Sequence, residues 1–308
     1  MRLFLRTRSW ISAKKSTTSF LIQMYRFVPQ KKRSRLRVKA GVVFYCLLRY
    51  FYWIRYGKNF SARNKKSSQD LVKEFPYIVF SHESPLRRNL SEIDTELQEG
   101  KVANLKLAAE CVSPVVLDKG KVFSYWHLIG NPTRMRGFKT GMMLVNGKPS
   151  SAVGGGLCAL SNLIYWMTLH TPLVVAERFR HSYDVFPDSN RTLPFGSEAT
   201  CVYNYRDLMI LNDTDQEYFL NVWVDEAAGK LKGEWRTRFP VKDKYEIYEK
   251  DHWITHEITN VYVRHNTLWR KHFVESDGKL VFDSEEQITE NHALMMYEPL
   301  LEGASQEK

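Results

Sequence analysis

The sequence predicts an α+β protein in which a cysteine-bearing helix packs on a mostly antiparallel sheet, with a basic amphipathic helical segment at the N-terminus. Three observations carry this. Leu157, Leu160, Ile164 and Met167 recur at helical spacing behind three glycines and ahead of Pro172. Tyr218–Val224 and Lys230–Trp235 flank Gly229 as the two arms of a hairpin. Asp277-Gly278 joins aromatic and β-branched runs, a strong signal for a tight hairpin turn.

The first 69 residues stand apart by charge. They contain 18 Lys or Arg and no Asp or Glu, whereas the other 239 residues carry 27 basic and 34 acidic side chains, a net of −7. The formal net charge of +11 therefore belongs to one segment on a mildly acidic body. Such asymmetry points to an anionic partner, and no nucleic-acid recognition motif accompanies it.

Within that segment, residues 1–38 show little periodicity, and no apolar run of signal-peptide length is present. Residues 40–56 are apolar and aromatic but interrupted by Arg49 and Arg55, and the unbroken run Val42–Leu48 is far short of the roughly 20 residues that span a bilayer. Two readings fit residues 40–56 equally. One is an interfacial helix on an anionic membrane surface, engaging it through residues 1–57. The other is a terminal helix packed on the body with its arginines in water. Residues 58–70 read as a Ser, Asn and Lys-rich linker. The expected location is the cytoplasm, peripheral at the inner face of a membrane.

The body, residues 70–308, opens with a strand at Tyr77–Phe80 and a helix over Val102–Ala109. Strands follow at Val115–Leu117 and Val122–Trp126, with turns at Gly137–Gly141 and Asn146-Gly147. After the cysteine helix come strands at Leu173–His181 and Ala199–Leu211, then the hairpin around Gly229. A β-rich extension occupies 226–308, and Glu290–Met296 fits either a short helix or a strand. Cysteines 46, 111, 158 and 201 are too scattered for a disulfide framework or zinc-finger spacing.

The chemistry centres on Cys158. A thiol in a first helical turn feels the positive end of the helix dipole, which favours thiolate. Gly154, Gly155 and Gly156 let the backbone approach a ligand, so with Leu157 they are candidates for binding or for an oxyanion. A cysteine nucleophile needs a base. His181, 23 residues on, can return to the helix start by one strand, with Asp184 to orient it and Glu198 and Asp207 as rivals. The opposing reading makes Cys158 a buried structural cysteine and His181 a half-exposed strand histidine. Ser161, Arg178 and Ser182 complete the candidate binding set. His252 and His256 lie four apart but lack the adjacent glutamate of a metalloprotease helix, and their surroundings read as strand. No metal or cofactor is expected.

Gly154-Gly155-Gly156-Leu157-Cys158-Ala159-Leu160-Ser161-Asn162-Leu163, followed by Leu169–Leu173, Glu177-Arg178 and His181, closely resembles the VanW family. Asn104–Ala109, Lys119–Ser124 and Asp207–Thr214 resemble further family segments. The likeness covers about residues 100–225. It implies a role in peptidoglycan metabolism or glycopeptide resistance, with a peptidoglycan peptide or precursor as partner. For some members it implies L,D-transpeptidase-like acyl transfer through the motif cysteine, here Cys158. The chain departs from the family pattern at Ala159, where members commonly carry Gln.

Overall fold

A computed structural model of the chain describes residues 34–87, 95–145, 148–180, 183–185, 193–257 and 261–297. The chain divides into two compact units, residues 1–40 and 41–308, with the boundary inside helix α1 (Arg35–Tyr56). Of the first unit, residues 34–40 are described. There the Arg37 N–H donates to Ser34 Oγ at 3.3 Å at the helix start.

The second unit continues through α2 (Ser68–Glu74), β1 (Tyr77–Pro85), α3 (Thr95–Val112), β2 (Val115–Leu117), β3 (Val122–Ser124) and α4 (Tyr125–Ile129). Next come β4 (Thr140–Val145), β5 (Lys148–Val153), α5 (Cys158–Leu169), β6 (Val174–Glu177), β7 (Tyr183–Asp184) and β8 (Met209–Leu211). Five long strands close it: β9 (Tyr218–Asp225), β10 (Lys230–Thr237), β11 (Lys244–Glu257), β12 (Val261–Ser276) and β13 (Lys279–Met295).

The protein is α+β, and its strands pair mostly antiparallel. One sheet runs β1-β10-β9-β2, a second β11-β12-β13-β7, a third β3-β8-β6, and β4 pairs with β5. Among the described strands β13 with β7 forms a parallel pair, and Phe60 makes an isolated parallel bridge to Val122. Ser276 pairs with Lys279 across Asp277 (φ 52°) and Gly278 (φ 75°), so this two-residue turn needs left-handed backbone at both positions, which Asp-Gly supplies.

Helix α5 buries Leu160, Leu163, Ile164 and Met167 against β10 and β1. It comes close because Gly233 has no side chain: a Cβ there would sit 2.8 Å from Met167 Cε. Trp235 of β10 donates its indole N–H to Thr168 Oγ1 at 3.1 Å, which satisfies a buried polar atom inside that interface. Helix α3 lies against β9 and β4. One hydrophobic core joins α3, α4, α5 and the first and third sheets.

Several elements differ from expectation for local reasons. The linker reading at 58–70 gives way at Ser67, whose side chain caps α2 by accepting the Asp70 N–H at 3.2 Å. The strand expected over Val122–Trp126 turns helical at Tyr125, because Ser124 caps α4 by accepting the His127 N–H. The strands at 173–181 and 199–211 shrink to β6 and β8, and the intervening backbone is held by side-chain bonds. Glu290–Met296 lies almost wholly in β13 and is not a helix. Asn146-Gly147 lies outside the described residues.

Candidate functional site

The glycine run descends from β5 into α5 and is clamped by α3. Asn104, fully buried, donates Nδ2 to the carbonyls of Gly155 at 2.9 Å and Lys139 at 3.0 Å, while its Oδ1 accepts the Lys139 N–H at 2.7 Å. Gly155 lies so close to β4 that a Cβ would fall 2.0 Å from the Gly141 carbonyl oxygen. At Gly156 (φ 92°) a Cβ would meet Lys101 Cγ at 2.3 Å, and at Gly154 (φ 77°) it would meet Pro132. The three glycines thus serve close packing between β4, α3 and α5. The N–H groups of Gly154 and Gly155 already donate to the Lys139 and Ala152 carbonyls at 2.9 and 3.0 Å, so neither is open to an oxyanion.

Cys158 is the first residue of α5 and is half-buried. Its Sγ donates to the Cys201 carbonyl at 3.6 Å, and burial pushes the thiol pKa above its ordinary value. The helix start was expected to lower that pKa. Burial acts the other way, because it strips hydration from the thiolate and so favours the neutral thiol. Beneath it Cys201 is buried and its thiol is pushed well upward by the same cause. Leu157 belongs to the core, and its carbonyl accepts the Tyr125 O–H at 2.8 Å. Ser161 is fully buried, with its hydroxyl on the Ala199 carbonyl at 2.8 Å and the Cys158 carbonyl at 3.1 Å. Both residues are bonded into the fold.

The remaining expected residues separate. Arg178 donates to the carbonyls of Glu198 (2.8 Å) and Gly196 and to Thr289 Oγ1 (3.2 Å), and its guanidinium stacks 4.9 Å from the Tyr165 ring centre. It secures the 196–198 segment. Asp184 is buried, 3.2 Å from Arg264 Nε, and accepts the Tyr297 O–H at 2.8 Å. Its carboxylate is held by the C-terminal strands. His181 and Ser182 lie outside the described residues. His252 and His256 lie on β11, a strand, as their surroundings suggested.

Asp207, a rival in the sequence, has the most strongly raised carboxyl among the described residues. It is buried, with Oδ2 2.5 Å from the Ser124 hydroxyl and Oδ1 accepting the N–H groups of Trp126 at 3.0 Å and Leu208 at 2.9 Å. Burial raises its pKa to about 7 against the lowering by these donors. Its own N–H donates to Glu177 Oε1 at 3.1 Å, and Glu177 takes a bidentate grip from Arg49 of α1 at 2.6 and 2.9 Å. Sequence reasoning missed that grip, because a single Arg in an apolar helix carries no sign of its partner 128 residues away.

The described residues also form an open groove of about 980 Å³. The segment 63–68, the C-terminal half of α3 and residues Val222–Val224 of β9 line it. Arg63, Lys65, Lys66 and Lys106 bring positive charge, Glu110 one negative, and Trp223 a ring 39% exposed. Lys66 pairs with Glu74, and Lys106 with Glu226. Among the described residues no carboxylate pairs with Arg63 or Lys65. Arg63, Lys65 and Lys66 were legible as part of the basic segment, but their convergence with Lys106 of α3 and Trp223 was not.

Residues 100–235 match a family model described as VanW like protein. The chain is 36% identical over 162 residues to a protein of Enterococcus faecalis named vancomycin B-type resistance protein VanW, an overlap of 53% of this chain and 58% of that one. It is 27% identical over 113 residues to YoaR of Bacillus subtilis, itself described as uncharacterized, an overlap of 37% and 36%. The chain thus spans little more than half of the first relative and about a third of the second. No solved structure matches it.

Proposed function

From this chain's membership of the VanW family, carried by residues 100–235, we infer that it acts in glycopeptide resistance by binding an anionic peptidoglycan precursor in the groove beside α3. The observation that carries this is the convergence of Arg63, Lys65, Lys66 and Lys106 around Trp223 in an open cavity of about 980 Å³. Such precursors present carboxylates, a diphosphate and sugar rings. Arginine and lysine recognise the anionic groups, and an exposed indole face offers apolar contact to a sugar. The cavity lies at the upper end of the size range of small-molecule sites.

Titration calorimetry with a UDP-muramyl-pentapeptide tests this. The wild type should bind, and Lys65→Glu should weaken binding by about tenfold or more, the effect of losing one charge-assisted contact and gaining one repulsion. Absence of binding, or equal binding by the variant, would overturn it.

A second reading keeps acyl transfer at Cys158, favoured by its half-buried seat in the first turn of α5. In that reading His181 removes the thiol proton and later returns it to the leaving amine, while Sγ forms the acyl thioester. It requires deprotonation of a thiol that burial holds in its neutral form. A muropeptide acyl-transfer assay comparing wild type with Cys158→Ala separates the two readings: activity lost in the variant supports transfer, and no activity in either protein rejects it.

A further inference from the structure

Helix α1 turns its most apolar stripe to solvent. Val43, Leu47, Phe51 and Ile54 follow one another at spacings of four, four and three, which places them on one helix face. They are 58%, 63%, 69% and 82% exposed. Phe44 and Leu48, also exposed, widen the stripe. A contiguous apolar surface of this kind marks an interaction site.

The opposite face is committed to the body. Trp53 is buried in the core, Arg49 grips Glu177, and the Tyr50 and Tyr203 hydroxyls are 2.5 Å apart. The Tyr45 ring meets Tyr205 edge-on at 4.9 Å. Rolling the helix inward would break all four contacts, so the stripe stays outside.

Charge identifies what covers it. Residues 1–69 hold 18 Lys or Arg and no acid. An anionic bilayer attracts each such side chain near its surface, while apolar residues enter the headgroup boundary. A second copy of this chain on the same face would instead bring two acid-free segments together. Insertion across the bilayer is not an option for α1: no helix among the described residues is long and apolar enough to cross a membrane, and its Arg49 face is bonded to protein. We propose that α1 lies in the plane of an anionic membrane surface, with Val43, Leu47, Phe51 and Ile54 in the acyl boundary and the Arg49–Glu177 pair fastening the body to it.

The test is co-sedimentation of the full-length chain with phosphatidylcholine vesicles with and without 30 mol% phosphatidylglycerol, a probe composition of about one anionic lipid in three. The wild type should partition onto the anionic vesicles, and raised salt should weaken that partitioning. Leu47→Ser/Phe51→Ser/Ile54→Ser should lower it by about tenfold or more, since burying one side chain of this size is worth about a factor of ten. These positions are exposed, so the variant's thermal midpoint should match the wild type and report an intact fold. Equal partitioning by variant and wild type would overturn the proposal. So would equal binding to vesicles without anionic lipid, or a wild-type dimer that the triple variant dissociates while neither protein binds vesicles.

Discussion

At the scale of single residues, buried polar groups and glycines set the site. Asp207 is the sharpest case. Its carboxyl rises from 3.8 to about 7 in the folded state, so the native protein holds a proton that the unfolded chain has released. The stabilisation is complete below about pH 4, shrinks as pH rises toward 7 and is gone above it, a span of roughly 4 kcal/mol at most. Asp207→Asn keeps the shape and the acceptor for Trp126 and Leu208, and it cannot ionise. Thermal melts from pH 4 to 8 should therefore fall with pH more steeply for the wild type than for the variant. Gly155→Ala places a methyl on the Gly141 carbonyl oxygen and should cost about 3 kcal/mol or more in urea unfolding. Cys158 should alkylate with iodoacetamide more slowly than a free thiol at pH 7.5 and speed up only above about pH 8.5; reactivity at or above that of free cysteine would show a thiolate that burial should forbid. The glycine run was legible as a place of close approach. What approaches it was not, because Asn104, Lys101 and Gly141 belong to α3 and β4, and no local pattern encodes such pairings.

At the scale of elements, periodicity located helices well and their outward faces poorly. Helix α1 was recognisable from its apolar run, yet the sequence left open whether the body or another surface would take that run. The answer lies in Arg49, which faces inward to Glu177 and so turns Val43, Leu47, Phe51 and Ile54 outward. Arg49→Ala leaves a mostly buried carboxylate unpaired and should loosen α1 by about 2 kcal/mol. Hydrogen exchange should then show lost protection across residues 41–56 while the core strands keep theirs. Strand propensity over 199–211 misled for a related reason. Arg178 holds the backbone of 196–198 through side-chain bonds, Asn204 takes a left-handed φ of 55° inside a local Val202–Arg206 bridge, and Asp207 accepts the Trp126 N–H of α4, so Met209–Leu211 is the part that joins a sheet. The hairpins around Gly229 and Asp277-Gly278 were legible because turn chemistry is local.

At the scale of the whole molecule, two features of the second unit carry the two proposals made above. One is an acidic-bodied α+β fold that gathers cations from the basic segment around Trp223. The other is a helix whose solvent face is apolar. Neither depends on a reactive cysteine, and the geometry around Cys158 supports the fold: a thiol bonded to a carbonyl, a buried Ser161, and glycines pressed against neighbouring backbone. The segment around Cys158 in this sense anchors the start of α5 against its neighbours, and the proposed ligand groove runs along the far half of α3. The most direct test compares Trp223→Ala and Cys158→Ala in one calorimetric titration with UDP-muramyl-pentapeptide. The account predicts that Trp223→Ala weakens binding by about tenfold while Cys158→Ala binds as the wild type does; loss of binding in Cys158→Ala, with Trp223→Ala unaffected, would contradict it.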